Sequence, residues 1–189
     1  MAEPTTTFVG LDAHKVWIKI VVLVPGESKP VEWQVENEKA SVRRMVRKVQ
    51  RVAPGEAAFC YEAGPCGYAL QRWIREQSAA CVVVAPSLIP RKPGDRIKTD
   101  RRDAEMLARL YRAGELSAVY VPHPEDEAVR DLTRAREDAK QAQTRARHQL
   151  KAFLLRSGIR YTGKTAWTPA HVRWIAGIKL DQPVQQIVF

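Results

Sequence analysis

The chain alternates apolar runs too short for helices with segments of helical period, and this alternation restricts it to a mixed α/β architecture. Residues 8–11 form an apolar run that stops at Asp12, and a second run over 16–24 follows after only Ala13, His14 and Lys15, which predicts a β-hairpin. Pro25, Gly26 and Glu27 supply turn chemistry, and residues 30–35 alternate apolar with polar like a third antiparallel strand. Asn37 is placed to cap a helix running to about Val52, with Val42, Met45, Val46 and Val49 on its inward face. After Pro54 and Gly55, residues 57–61 read as a buried strand ending at Glu62. Gly64, Pro65 and Gly67 then turn the chain into a helix over about 68–77, and 81–84 is another buried strand.

Three strands, then helix, strand, helix, strand, is the order of an RNase H-like α/β domain, a mixed sheet with flanking helices. Other mixed-sheet folds share it, so order alone does not decide function. At 189 residues the chain can bury one substantial core and carry a smaller helical appendage. The stretch 90–102 carries Arg91, Lys92, Arg96, Lys98, Arg101 and Arg102, with Pro and Gly early in it, and reads as a basic loop leading into a helix over about 99–113 that Gly114 ends. Residues 118–121 suit a short extended return, and Pro122 with Pro124 marks a boundary.

Beyond that boundary Ala128, Leu132, Ala135, Ala139, Ala142, Ala146, Gln149 and Phe153 recur at spacings of four and three, the rhythm of a coiled-coil seam on one long helix. Small seam residues permit a close helical partner. The other faces carry Arg130, Arg134, Arg136, Lys140, Arg145, Arg147 and Lys151, as a solvated surface or a phosphate-binding track. Gly158 stops the helix, 169–176 suits a short helix, and Asp181 reads as the cap of another with Pro183 in its first turn. The expected division is a domain over 1–124, the coiled-coil helix over 125–158, and a linker over 159–189 with the start of a second helix that would continue past Phe189 as the partner of the first.

The 31 Lys and Arg against 21 Asp and Glu leave a formal charge of +10, which favours a polyanionic partner, nucleic acid above all. No apolar stretch approaches the roughly 18 residues needed to span a bilayer. The first residues also lack a signal peptide's basic-then-apolar order, so no membrane partner and a cytoplasmic location are expected. Cys60, Cys66 and Cys81 are odd in number with no Cys-x-x-Cys spacing, which suggests neither a disulfide framework nor zinc.

Four acids fall at element ends: Asp12 and Glu62 after apolar strands, and Asp100 with Asp103 near a helix start, where a spacing of three puts both on one face. Singly, each has an ordinary reading as a turn former, a loop acid or a first-turn charge. Gathered together they would repel one another unless a divalent cation neutralises them. Two Mg2+ ions about 4 Å apart could then serve phosphodiester displacement, with Lys15, Lys98, Arg101 and Arg102 positioning the strand.

The segments Gly10-Leu11-Asp12-Ala13-His14-Lys15, Tyr61-Glu62-Ala63-Gly64-Pro65-Cys66-Gly67-Tyr68 and Lys98-Thr99-Asp100-Arg101-Arg102-Asp103-Ala104 resemble, in order and spacing, the three signature blocks of the DEDD transposases of the IS110 family of bacterial insertion sequences. The resemblance implies a RuvC-like domain in which Asp12, Glu62, Asp100 and Asp103 are the catalytic metal ligands for Mg2+ or Mn2+. It also implies a coiled coil used to assemble a homo-dimer or tetramer, a structured guide RNA, a DNA substrate, and a further domain with a nucleophilic serine. None of Ser28, Ser41, Ser78, Ser87, Ser117 and Ser157 sits in a context like that nucleophile's, so the serine is expected beyond Phe189 and the 189 residues are not expected to recombine DNA alone. A RuvC-like junction nuclease using water, and a non-catalytic RNA-binding dimerisation module, are the alternatives. His14, two residues beyond Asp12, could share its face, but its ordinary reading is a polar loop histidine. Trp73 lies on an apolar helix stripe, whereas Trp167 and Trp174, in the basic C-terminal region, are stacking candidates.

Overall fold

The computed structural model describes residues 6–90 and 100–189. The described residues separate into two compact units, one up to Val121 and the other from Pro122 onward.

In the first unit the apolar runs are strands: β1 (Thr7–Ala13), β2 (Trp17–Leu23), β3 (Val31–Glu36), β4 (Ala57–Glu62) and β5 (Ala80–Val84). They form one five-stranded sheet in the order β3-β2-β1-β4-β5. The β1–β2 and β2–β3 pairs are antiparallel and the β1–β4 and β4–β5 pairs parallel, so the sheet is mixed. Helices α1 (Lys39–Val52) and α2 (Ala69–Arg75) supply the crossovers to β4 and β5, and α3 (Asp100–Ala113) follows β5.

Alternation along the strands sends successive side chains to opposite faces. Val9 and Leu11 of β1, Phe59 and Tyr61 of β4, and Val42, Met45, Val46 and Val49 of α1 join one buried core, with Leu70 and Ile74 of α2. The opposite face is covered by α3, whose Ala104 and Ala108 pack on Val21 and Leu23 and whose Leu107 packs with Cys60 and Val84. Gly10 lies on this second face, and α3 approaches it so closely that a Cβ there would meet the backbone of Ala104 and come within 2.7 Å of the Ala108 nitrogen. The absence of a side chain at 10 and the single methyls at 104 and 108 therefore set the height of α3 over β1. Gly114, at φ +72°, ends α3 with the Glu115 N–H donating to Leu110 O at 3.0 Å. The chain then returns along β5, where Val84 bridges Ala118.

Asn37 does not cap α1. Glu38 holds the N-cap position without a side-chain cap bond, and the Asn37 amide instead donates to the His14 carbonyl at 2.7 Å. The part-buried carbonyl of the β1–β2 turn takes the amide NH2 as its donor.

In the second unit, α4 (Pro124–Arg156) is 33 residues long, or about 50 Å at 1.5 Å per residue. Only Leu154 of α4 is buried; the expected seam is exposed from Ala128 to Ala146, and at its end Phe153 stacks on Phe189, 6.3 Å away. It is followed by α5 (Pro169–Ala176) and α6 (Pro183–Val188). Gln182, not Asp181, is the N-cap of α6, because Pro183 takes the first helical position and the residue before it becomes the cap. No helix among the described residues is long and apolar enough to cross a membrane.

If the bare backbone at Gly10 seats α3, Gly10→Ala should destabilise the first unit by about 1–3 kcal/mol, the usual cost of overpacking a close contact. Urea denaturation measures this, and an unchanged midpoint would show that α3 is seated by something else.

Candidate metal centre

Phe8, Gly10 and Asp12 alternate onto the α3 face, so the strand that lets α3 approach also carries the first acid. The β1–β4 ladder runs to Leu11 opposite Tyr61, and Asp12 and Glu62 each come next on adjoining strands. Asp100 and Asp103 precede Ala104 and Leu107 by one turn, which puts them on the helix face that packs on the sheet.

His14 Nε2 lies 3.1 Å from Asp12 Oδ2 and 3.5 Å from Asp100 Oδ2. One donor atom from each of the three lies within 4.8 Å of the others. Asp12 is the most enclosed, its side chain 24% exposed against 43% for His14 and 49% for Asp100. The turn that presents His14 is held from several sides: its N–H donates to Trp17 O at 2.9 Å, its carbonyl accepts from Asn37, and the Cys66 thiol donates to Ala13 O at 3.7 Å. Beside the acids, Glu32 accepts Lys19 Nζ at 3.2 Å and Arg101 Nε at 3.1 Å, joining β2, β3 and the first turn of α3. Part-exposed ion pairs of this kind contribute under about 1 kcal/mol each, so they orient the helix end while the contact at Gly10 fixes it.

Burial pushes the Asp12 carboxyl above its ordinary value. The hydrogen bond and charge of His14 pull it down, and the negative charges of Asp100 and Asp103 push it up again. Asp103 is thus close enough for its charge to act on Asp12, although it is outside the three-residue group. Glu62 is exposed at the end of β4 and is also outside that group. His14 is the residue that sequence reasoning undervalued. Its position in the loop is as expected, but its ring is turned onto two carboxylates, and the two-residue spacing from Asp12 was the available signal. Of the basic residues, Lys15, Arg101 and Arg102 are exposed beside these elements, whereas Arg91, Lys92, Arg96 and Lys98 lie outside the described residues.

The donor set, two carboxylates and an imidazole in one half-buried cluster, suits a small divalent cation such as Mg2+ or Mn2+, which takes oxygen ligands readily and nitrogen in the case of Mn2+. The like charges around Asp12 are the ones such a cation would neutralise.

A mixed sheet with acids gathered where its central strand meets a covering helix is an arrangement suited to metal-dependent chemistry on phosphate esters. Residues 9–158 match the sequence profile of the DEDD transposases of the IS110 type, described as a transposase, and the chain belongs to that family. Similar curated proteins include a putative transposase of Sinorhizobium fredii, 47% identical over 189 residues, covering 99% of this chain and 48% of the relative. The transposase for insertion sequence element IS1533 of Leptospira borgpetersenii is 35% identical over 185 residues, covering 96% of this chain and 53% of that protein. The chain thus spans about half the length of the curated relatives it matches.

The raised Asp12 carboxyl has a stability consequence without metal. A folded-state value above the unfolded one gives stability that is full in acid, below the ordinary 3.8, and is lost as pH rises through the folded value. Asp12→Asn removes that loss, so in chelator the variant should gain stability on wild type between acid and neutral pH. Parallel pH–stability curves would contradict a carboxyl raised by burial at this position.

Proposed function

We propose that the first unit is an RNase H-like, RuvC-type domain in which Asp12, Glu62, Asp100 and Asp103 bind Mg2+ or Mn2+ against a nucleic-acid phosphate, and that it contributes this site to DNA strand cleavage and exchange by a transposase. The observation that supports it most is the convergence of Asp12, His14 and Asp100 at the end of β1, in a chain of the IS110 transposase family. Strand order β3-β2-β1-β4-β5, with helices on both faces, accords with the fold.

In this reading Asp12 and Asp100 are the inner ligands, and Asp103 and Glu62 complete the shell as the side chains adjust to the cation. A bound divalent cation supplies charge neutralisation at the phosphate and a polarised attacking oxygen. His14, fixed through its carbonyl by Asn37, holds the two carboxylates in register through its Nε2. Lys15, Arg101 and Arg102, with Arg91, Lys92, Arg96 and Lys98, position the nucleic-acid backbone by charge. The seam of α4, exposed from Ala128 to Ala146 and small apart from Leu132, is suited to a coiled coil with a second copy, giving a homo-dimer or tetramer. A structured guide RNA and the target DNA are the polyanions that the +10 charge accommodates.

Thermal melting with and without Mg2+ or Mn2+ tests the metal site, because a ligand bound only by the folded state stabilises it by about 2.7 kcal/mol at a hundred times its dissociation constant. Wild type should gain stability, Asp12→Asn and Asp100→Asn should lose nearly all of the gain, and Glu62→Gln and Asp103→Asn should lose part of it. Equal shifts in wild type and Asp12→Asn would remove the metal from this cluster and with it the catalytic reading.

A further inference from the structure

The second unit holds a cavity of about 390 Å³ where the C-terminal turns of α4 meet the loop before α5. That is near the lower end of the roughly 300–1,000 Å³ of ligand pockets. Three aromatic rings line it, Tyr161, His171 and Trp174: Tyr161 meets His171 edge to face at 4.5 Å and 72°, and His171 and Trp174 are stacked 5.4 Å apart, 26° from parallel. Its rim carries Lys151, Arg160 and Lys164, and no acidic residue lines it.

Next to the wall, the residue that fixes His171 is held in an uncommon conformation. Trp167 has a φ of +66°, in the left-handed region that bulky side chains rarely occupy. Its N–H donates to His171 Nδ1 at 3.0 Å, and Arg147 lies over its ring at 4.9 Å. His171 is only 3% exposed, and Thr168 caps α5 by accepting the His171 N–H, so ring and backbone are both fixed. Because Nδ1 accepts, the neutral ring carries its hydrogen on Nε2, and that N–H has no protein acceptor among the described residues. A ring fixed edge and face, with a spare donor beside stacked aromatics and three cations, is more than a small core requires.

We propose that this cavity binds one unstacked base of a single-stranded nucleic acid, with the adjoining phosphate held by Lys151, Arg160 and Lys164. Aromatic faces accept any base by stacking, cations at the rim accept the phosphate, and the His171 Nε2–H offers one hydrogen bond to a base-edge acceptor. A duplex presents its bases already stacked and does not fit. The site deepens the nucleic-acid reading given above and rests on it only for the class of partner, since all its residues are in the second unit and none belongs to the acidic cluster.

The test is fluorescence anisotropy of the 189-residue chain with end-labelled tetranucleotides of RNA and of DNA, each compared with an abasic tetranucleotide of the same charge. Base-bearing strands should bind about tenfold or more tighter than abasic ones, the size of one stacked base. Whichever of the RNA and DNA strands binds tighter identifies the source of the base. The double variant Arg160→Gln with Lys164→Gln should weaken both probes about tenfold, while Lys164→Arg retains binding and shows that charge rather than folding is at stake. Asp12→Asn should leave tetranucleotide binding unchanged. Equal affinity for base-bearing and abasic strands would overturn the proposal, as would a double variant that binds like wild type or a loss confined to Asp12→Asn. Pocket binding without any Mg2+ response in melting would sink the metal reading alone.

Discussion

The contact on which the first unit depends is the one between β1 and α3 at Gly10. Because no side chain stands there, the backbone of α3 at Ala104 and Ala108 comes down onto the strand. Everything polar at that end of the sheet follows from this height. One turn before Ala104 is Asp100, and two residues after Gly10 is Asp12, so a close approach of two backbones becomes a close approach of two carboxylates. A larger residue at 10 would lift the helix and part the acids, whatever the ion pairs around Glu32 contributed.

Bringing like charges together is unfavourable, and the protein offsets it in part with its own groups. The His14 imidazole sits between Asp12 and Asp100, and the turn that carries it is tied to β2 by its own N–H, to the start of α1 through Asn37 and to the segment before α2 through Cys66. Burial, with a smaller push from the Asp100 and Asp103 charges, still holds the Asp12 carboxyl above its usual range against the pull of His14. A cluster of carboxylates inside a chain of formal charge +10 accords with the metal-binding and nucleic-acid reading proposed above, as does membership of the IS110 transposase family.

Much of this was legible in the sequence because it was written in local periodicity. The apolar runs match the strands to within one or two residues at each end, the inward face of α1 is legible residue by residue, and the breaks at Gly114 and Gly158 fall where the chain adopts positive φ. What escaped was set by partners distant in sequence. Asn37 looked like a cap because caps are local, but its acceptor is a carbonyl 23 residues earlier. His14 looked like a loop histidine because nothing local shows that α3 brings Asp100 to its ring. The seam of α4 has the right rhythm, yet periodicity describes one helix and not its partner, so the helix is observed and its coiled coil is not. Of the two stacking candidates, Trp174 lines the cavity with Tyr161 and His171, whereas Trp167 stands edge-on to His171 with Arg147 over its ring.

The most direct measurement of the central claim is anomalous scattering from a crystal of this chain grown with Mn2+. The expected result is a peak in contact with carboxylate oxygens of Asp12 and Asp100 at about 2.0–2.6 Å, the range of hard-cation coordination, with Asp103 or Glu62 drawn towards it. A Mn2+ peak elsewhere, with the Asp12 and Asp100 carboxylates free of metal at saturating concentration, would contradict it.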